Sequence, residues 1–140
     1  MEPYFLNRPM RKLSIFLSVL NVHINRVPIG GRVVGTRYIP GRFRIASHRN
    51  ASEENERNAI WLQGDGGEEV VMVQVAGLIA RRIVSYVREG DKVDRCERCG
   101  LIRFGSRVDL YLPLSWPIAV QVGARVRGGA SLVARIGDHQ

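Results

Sequence analysis

With 140 residues, 45% hydrophobic and 24% charged, the chain is long enough for one domain whose core needs no disulfide or metal staple, and too apolar to be disordered. Lys and Arg number 21 against 13 Asp and Glu, a formal charge of +8, and only Lys12 and Lys92 are lysines. Guanidinium keeps its charge when partly desolvated and grips phosphate or carboxylate in a fork, so the balance suits an anionic partner, either an acidic membrane surface or nucleic acid. A soluble protein from an arginine-rich genome would show the same balance.

Met1-Glu2-Pro3 lacks the basic head and apolar run of a secretory signal, which makes the cytoplasm the expected setting. Leu13 to Val19 reads as a mostly buried strand. The longest apolar stretch, Leu13 to Val22, is broken by Ser14, Ser18 and Asn21 and falls short of the roughly 20 residues of a spanning helix, so any membrane is met from the side. Ile29 to Gly35 reads as a turn feeding a strand. Ser47 to Asn58 is polar and predicts a functional or mobile loop. Ile60–Gln63 and Val70–Val75 flank Gly64-Asp65-Gly66-Gly67 and predict a hairpin. Ala76 to Val87 has spacing compatible with a helix, yet Ile83, Val84, Tyr86 and Val87 are strand formers, and period alone does not settle it.

A repeated unit decides for strands. Val87-x-x-Gly90-x-x-Val93-x-x-Cys96 recurs as Val120-x-x-Gly123-x-x-Val126-x-x-Gly129. Each places a glycine turn between strand residues, where a positive φ suits glycine. Such pairs resemble the interlocking hairpins of biotinyl and lipoyl carrier domains, which implies an all-β fold, a barrel-sandwich hybrid, over residues 1–140. Carrier domains present a lysine between the halves. None stands there, so the chemistry is to be sought in Phe104 to Pro113. Cys96 and Cys99 read as reduced cysteines in a turn and strand, because His23, His48 and His139 show no finger spacing around them. No metal is expected.

Four blocks in order carry a more specific resemblance. Phe16-Leu17-Ser18-Val19-Leu20-Asn21-Val22-His23-Ile24-Asn25-Arg26-Val27-Pro28, Glu54-Asn55-Glu56-Arg57-Asn58, Val73 to Ile83, and Arg103-Phe104-Gly105-Ser106-Arg107-Val108-Asp109-Leu110-Tyr111-Leu112-Pro113 are similar to blocks of the phosphatidylserine decarboxylase family, in its short archaeal-type branch. They cover about residues 11 to 136. The resemblance implies a proenzyme that cuts itself between Gly105 and Ser106 and turns Ser106 into a pyruvoyl group, leaving a beta chain of residues 1–105 and an alpha chain of residues 106–140 as a heterodimer. The residue chemistry agrees. A hydroxyl after glycine can attack the preceding carbonyl when the turn is strained, because glycine leaves the approach open. An N-to-O acyl shift, elimination to dehydroalanine and hydrolysis then give the ketone. That ketone would take the amine of a serine phospholipid as a Schiff base and accept electrons as carbon dioxide leaves.

The same resemblance implies roles for other residues. His23 matches the first histidine of the family's Asp-Tyr-His-x-x-His pattern and is the candidate proton carrier, although a histidine hydrogen-bonded at a strand end would look the same. The pattern's first position is Asn21 here, and Arg26 replaces its second histidine. Arg26, Arg81 and Arg82 are candidates for the lipid phosphate. Adjacent strand residues face opposite ways, so only one of Arg81 and Arg82 can meet a given ligand, and a solvated pair is the alternative. Glu54, Glu56 and Arg57 read as organising a loop. The expected partners are a serine phospholipid, phosphatidylserine or archaetidylserine, and an anionic membrane surface, met on the cytoplasmic side. The family's upstream Pro-Ala-Asp-Gly segment is not in this sequence, which leads one to expect poor processing of these 140 residues alone. Two other readings compete: a non-catalytic remnant of the fold, and a small basic β-barrel for nucleic acid. Aromatic residues at 7%, with no stacking pair, argue against nucleic acid.

Overall fold

Short runs of β-branched residues punctuated by glycine build extended chain, and every regular element among the described residues is a strand. The computed structural model of the chain describes residues 2–16, 23–26, 30–41, 55–76, 83–93, 98–102 and 107–116. The strands are β1 (Arg11–Phe16), β2 (His23–Arg26), β3 (Gly31–Ile39), β4 (Arg57–Gly64), β5 (Glu69–Val75), β6 (Ile83–Ser85), β7 (Lys92–Val93), β8 (Arg98–Ile102) and β9 (Arg107–Leu112). Six form an open antiparallel sheet in the order β1-β9-β5-β4-β3-β7, and three form a smaller antiparallel sheet in the order β2-β8-β6. The all-β expectation holds. The second glycine unit, Val120 to Gly129, lies outside the described residues, and with it the pairing of two carrier-like halves.

The predicted hairpin is β4–β5, in register from Arg57↔Val75 to Gln63↔Glu69. Its loop is closed by Gly64 N–H donating to the Glu68 carbonyl at 2.7 Å and Gly67 N–H to the Gly64 carbonyl at 3.0 Å. The first glycine unit also turns where expected. Gly90 sits at φ 92°, its N–H donates to the Val33 carbonyl at 2.7 Å, and the Asp91 carboxylate accepts the Arg88 N–H at 2.8 Å. The turn delivers Lys92 and Val93 to β3 opposite Arg32 and Gly31. A side chain at Gly31 would run into the Gln63 carbonyl and Gly64 beside it.

One expectation is corrected. Arg57 and Asn58, placed in a loop, open β4. Asn58 is buried, yet its amide donates to Gln74 Oε1 across the pair at 3.1 Å, so a polar residue sits in the strand at no loss of hydrogen bonding. Ser47 to Glu54 lies outside the described residues. The first strand begins at Arg11, two residues before the expected start; Arg11, Lys12 and Ser14 are exposed and Leu13 half-buried, and the burial of the expected strand from Ile15 to Val19 lies outside the described residues. Among the described strands β1 pairs with β9 alone, at one edge of the sheet.

β9 is late in sequence and central in space. It lies between β1 and β5, and all six of its residues are buried. Alternation splits it between two cores. Val108, Leu110 and Leu112 join Val33, Ile60, Leu62, Val70, Met72, Val87, Val93 and Trp116 on one face. Tyr111 joins Met10, Ala59, Val71, Val73 and Val75 on the other, under Tyr4, Phe5 and Leu6. The buried Glu2 carboxylate folds that cover by accepting the N–H groups of Tyr4, Phe5 and Leu6. Phe5 then meets Trp61 with ring centroids 5.4 Å apart, and Tyr4 meets Tyr111 edge-on at 6.3 Å.

Candidate functional site

Register sets the ends of three separate connections side by side in two short rows. At one end of the large sheet, Phe16, Arg107, Val75 and Arg57 are successive cross-strand partners. At one end of the small sheet, His23, Ile102 and Ile83 are successive partners. The chain passes between these two rows three times: from Phe16 to His23 through residues 17–22, from Val75 to Ile83 through residues 76–82, and from Ile102 to Arg107 through residues 103–106. Neighbouring strands lie only about 4.8 Å apart, so the large-sheet ends of the three passages lie close together, and so do their small-sheet ends.

Most of the candidates from the sequence belong to these passages. His23 opens β2, directly opposite Ile102, the last residue of β8. Gly105 and Ser106 fall in the passage after Ile102, and Ser106 is the chain neighbour of Arg107, where β9 starts. Arg81 and Arg82 immediately precede Ile83. Gly105, Ser106, Arg81 and Arg82 themselves lie outside the described residues, as does Cys96. Arg26 is set apart: it ends β2, beyond a register shift, opposite Arg98, roughly 10 Å along the strand from His23. Cys99 lies within β8.

Around the large-sheet row stands a polar network that the sequence reading did not single out. The Asp109 carboxylate is 1% exposed. Ser14 Oγ donates to its Oδ1 at 2.7 Å. Arg107, 5% exposed, places Nε 2.9 Å from Oδ1 and donates from Nη2 to Oδ2 at 3.3 Å. Lys12 Nζ stands 3.7 Å from Oδ2 and 5.9 Å over the Tyr111 ring. Two cations thus share one buried anion, an arrangement that stabilises charge away from water only because the partners are close and hydrogen-bonded. One strand over, Asn55 Nδ2 donates to the Ala76 carbonyl at 2.7 Å and the Ala76 N–H donates to the Glu56 carbonyl at 2.9 Å, which fixes the start of the passage through residues 76–82. Arg57 donates from Nη1 to the Asn55 carbonyl at 2.8 Å and from Nε to the Tyr4 hydroxyl at 2.9 Å. The expected role of Arg57 as a local organiser holds for its Asn55 bond and extends to Tyr4.

A signal for these residues was present. Gln74 interrupts Val70-Val71-Met72-Val73-Gln74-Val75, and Asp109 interrupts Val108-Asp109-Leu110-Tyr111-Leu112. A polar side chain within a buried strand has to find a partner, and two charges at i and i+2 share a face. Burial also acts on the tyrosines. It pushes the Tyr111 phenol well above its ordinary value, with Tyr4, Asp109 and Glu2 adding to the effect and Arg107 opposing it. It raises Tyr4 as well, against the pull of Arg57.

Among the described residues no three His, Cys, Asp or Glu stand close enough to share a metal ion. An open hollow lined by Gly31, Arg32, Gln63, Gly64, Asp65, Lys92 and Val93 lies at the far end of β3 and β4 from the row that holds Arg107. None of the candidates from the sequence lines it.

Comparison with known proteins bears on the same region. The family model described as phosphatidylserine decarboxylase matches residues 5–134. A phosphatidylserine decarboxylase proenzyme of Syntrophus aciditrophicus is 52% identical over 126 residues, 90% of this chain and 59% of that protein. Proteins of the same name from Nitrosomonas europaea and Geotalea uraniireducens are 49% and 50% identical, over 95% and 91% of this chain and 61% and 60% of their own lengths. The chain spans about three fifths of the length of these relatives. No solved structure matches it.

Proposed function

The chain belongs to the phosphatidylserine decarboxylase family, and from that membership we propose that it decarboxylates the head group of a serine phospholipid with a pyruvoyl group made from its own Ser106. The observation that carries the reading is the place of β9. A cut between Gly105 and Ser106 would separate residues 1–105, which supply β1 and β5, from residues 106–140, which supply β9. β9 is paired on both sides and wholly buried. Its Val108, Leu110, Tyr111 and Leu112 alone contribute roughly 2 kcal/mol each by burial, so the shorter piece stays in the sheet. Its first residue then adjoins Arg107, in the row where the large-sheet ends of the three passages lie close together. The residues present therefore suit a reactive group carried on a new chain end.

Cleavage asks the chain for a nucleophile and a proton carrier. Ser106 Oγ attacks the Gly105 carbonyl carbon, the amide nitrogen takes a proton as its bond breaks, and an ester joins the two pieces. Loss of the Ser106 α-proton expels the carboxylate of Gly105 and leaves dehydroalanine, whose hydrolysis releases ammonia. His23 is the proposed carrier, since imidazole exchanges protons near neutral pH and its strand position opens the small-sheet row. The pyruvoyl group, once present, supplies the electron sink for loss of carbon dioxide. Arg81 or Arg82, adjoining Ile83 in that row, holds the lipid phosphate, and Arg26 contributes from farther along β2. The chain works as a peripheral protein on the cytoplasmic side of the membrane, drawn there by its charge of +8. No helix among the described residues is long and apolar enough to cross a membrane.

The test is cleavage. The purified chain is compared with Ser106→Ala and His23→Ala, each alone and joined to the upstream segment of the Syntrophus aciditrophicus relative. Joined to that segment the parent should yield two pieces while the 140 residues alone process poorly, Ser106→Ala should stay whole in both forms, and His23→Ala should cleave slower by roughly 10²-fold or more. Release of carbon dioxide from phosphatidylserine vesicles should follow cleavage and be absent from Ser106→Ala.

A further inference from the structure

Self-cleavage, if it occurs as proposed above, needs the scissile bond placed to within a fraction of a residue. On one face of β9 the sequence does not fix the strand's placement. Val108, Leu110 and Leu112 are of similar bulk and share one face, so a slip of two residues would leave apolar side chains facing the same core. Such a slip would carry the start of β9, and the bond before it, roughly 7 Å along the sheet. Something other than the apolar pattern has to select the register.

We infer that Asp109 is the residue that does so, a positioning residue for cleavage at Gly105–Ser106. It is the direct cross-strand partner of Ser14, and the Ser14 hydroxyl donates to it at 2.7 Å. Arg107 shares its face and fills its other contacts at 2.9 and 3.3 Å. In a slip one way Asp109 meets Phe16 in place of Ser14. In a slip the other way it meets Lys12, and Ser14 is left facing Arg107 in place of a carboxylate. Only the observed register gives the buried carboxylate its hydroxyl donor and both cations at once. Use of one buried polar group to choose among apolar registers is a known device. The network also straddles the cut. Lys12 and Ser14 belong to residues 1–105, while Arg107 and Asp109 belong to residues 106–140, so the same contacts hold the register after the chain is divided.

The inference rests on the self-cleavage reading for its consequence, but its structural half can be tested without it. In a Ser106→Ala background the chain stays whole whatever its chemistry. There the parent should show one set of amide signals for residues 107–112, with cross-strand contacts between residues 14 and 109. The double variant R107L/D109L, which removes both buried charges together, should show a second set with contacts displaced by two residues. With Ser106 restored, R107L/D109L should cleave at least tenfold slower than the parent. S14A removes only a hydroxyl from an edge strand and serves where the double variant does not fold: it should cleave at least threefold slower, and S14T should recover the parent rate. A double variant that keeps a single set in the parent register overturns the inference, and so does parent-rate cleavage by R107L/D109L or S14A. The cleavage rates are measured on the chain joined to the upstream segment of the relative; a parent that fails to cleave in that form refutes the function proposed above, and the register measurement then decides the role of Asp109 alone.

Discussion

Replacing Asp109 with leucine should be among the most damaging single changes in the sheet. The side chain of Arg107 is 6% exposed and that of Asp109 2%, so Asp109→Leu leaves a guanidinium in the interior without its anion. Breaking a buried pair on one side costs about 3–5 kcal/mol, because the remaining charge loses its close counter-charge in a place shielded from water. Lys12, 37% exposed and 3.7 Å from the carboxylate, adds little, since an exposed ammonium rehydrates. At roughly 3 °C per kcal/mol for a domain of this size, the melting temperature should fall by about 10 °C or more. Removing both charges in R107L/D109L should restore most of that loss, as apolar replacement of a buried pair is often neutral or stabilising. Thermal unfolding followed by circular dichroism in a Ser106→Ala background measures this free of any cleavage. A single variant within about 1 kcal/mol of the parent, or a double variant as unstable as the single, would refute the electrostatic account of this cluster.

Two further outcomes follow from other parts of the fold. Burial raises the Tyr111 phenol above its ordinary value of 10.0, so the folded chain holds that proton more tightly than the unfolded one. Stability from this source is complete below about pH 10 and is lost as pH rises beyond it; the denaturant midpoint should fall over that range, and Tyr111→Phe should flatten the fall. Gly90 sits at φ 92° with open space where a Cβ would stand, so Gly90→Ala should cost about 1–2 kcal/mol through backbone strain alone, and Gly90→Asn less. Equal melting of the parent and Gly90→Ala would show that the turn relaxes without penalty.

The parts of the fold legible in the sequence were those decided locally. The β4–β5 hairpin announces itself by four loop residues rich in glycine, and the Gly90 turn by its spacing from Val87 and Val93. The start of β4 was hidden because Asn55 and Asn58 look like loop residues until their partners, Ala76 and Gln74, are brought alongside. The placement of β9 between β1 and β5 could not be read at all, since it joins residues as distant as Ser14 and Asp109, 95 positions apart. Alternation reveals which residues share a face but not which strand lies beside them. For the candidate site, similarity of blocks named Ser106 and His23, and register adds that His23 lies opposite Ile102, the last described residue before Ser106. It also separates Arg26 from His23 along β2. The Arg107–Asp109 spacing was visible in the sequence, whereas its burial required the tertiary structure.

Intact mass of the purified protein, alone and extended by the upstream segment of a relative, addresses the central claim most directly. The extended form should give two species, one ending at residue 105 and the other residues 106–140, with the shorter one lighter by one ammonia than a chain beginning with serine and reactive toward a carbonyl reagent. A single uncut mass in both forms, or a shorter piece that begins with an unaltered serine, would contradict it.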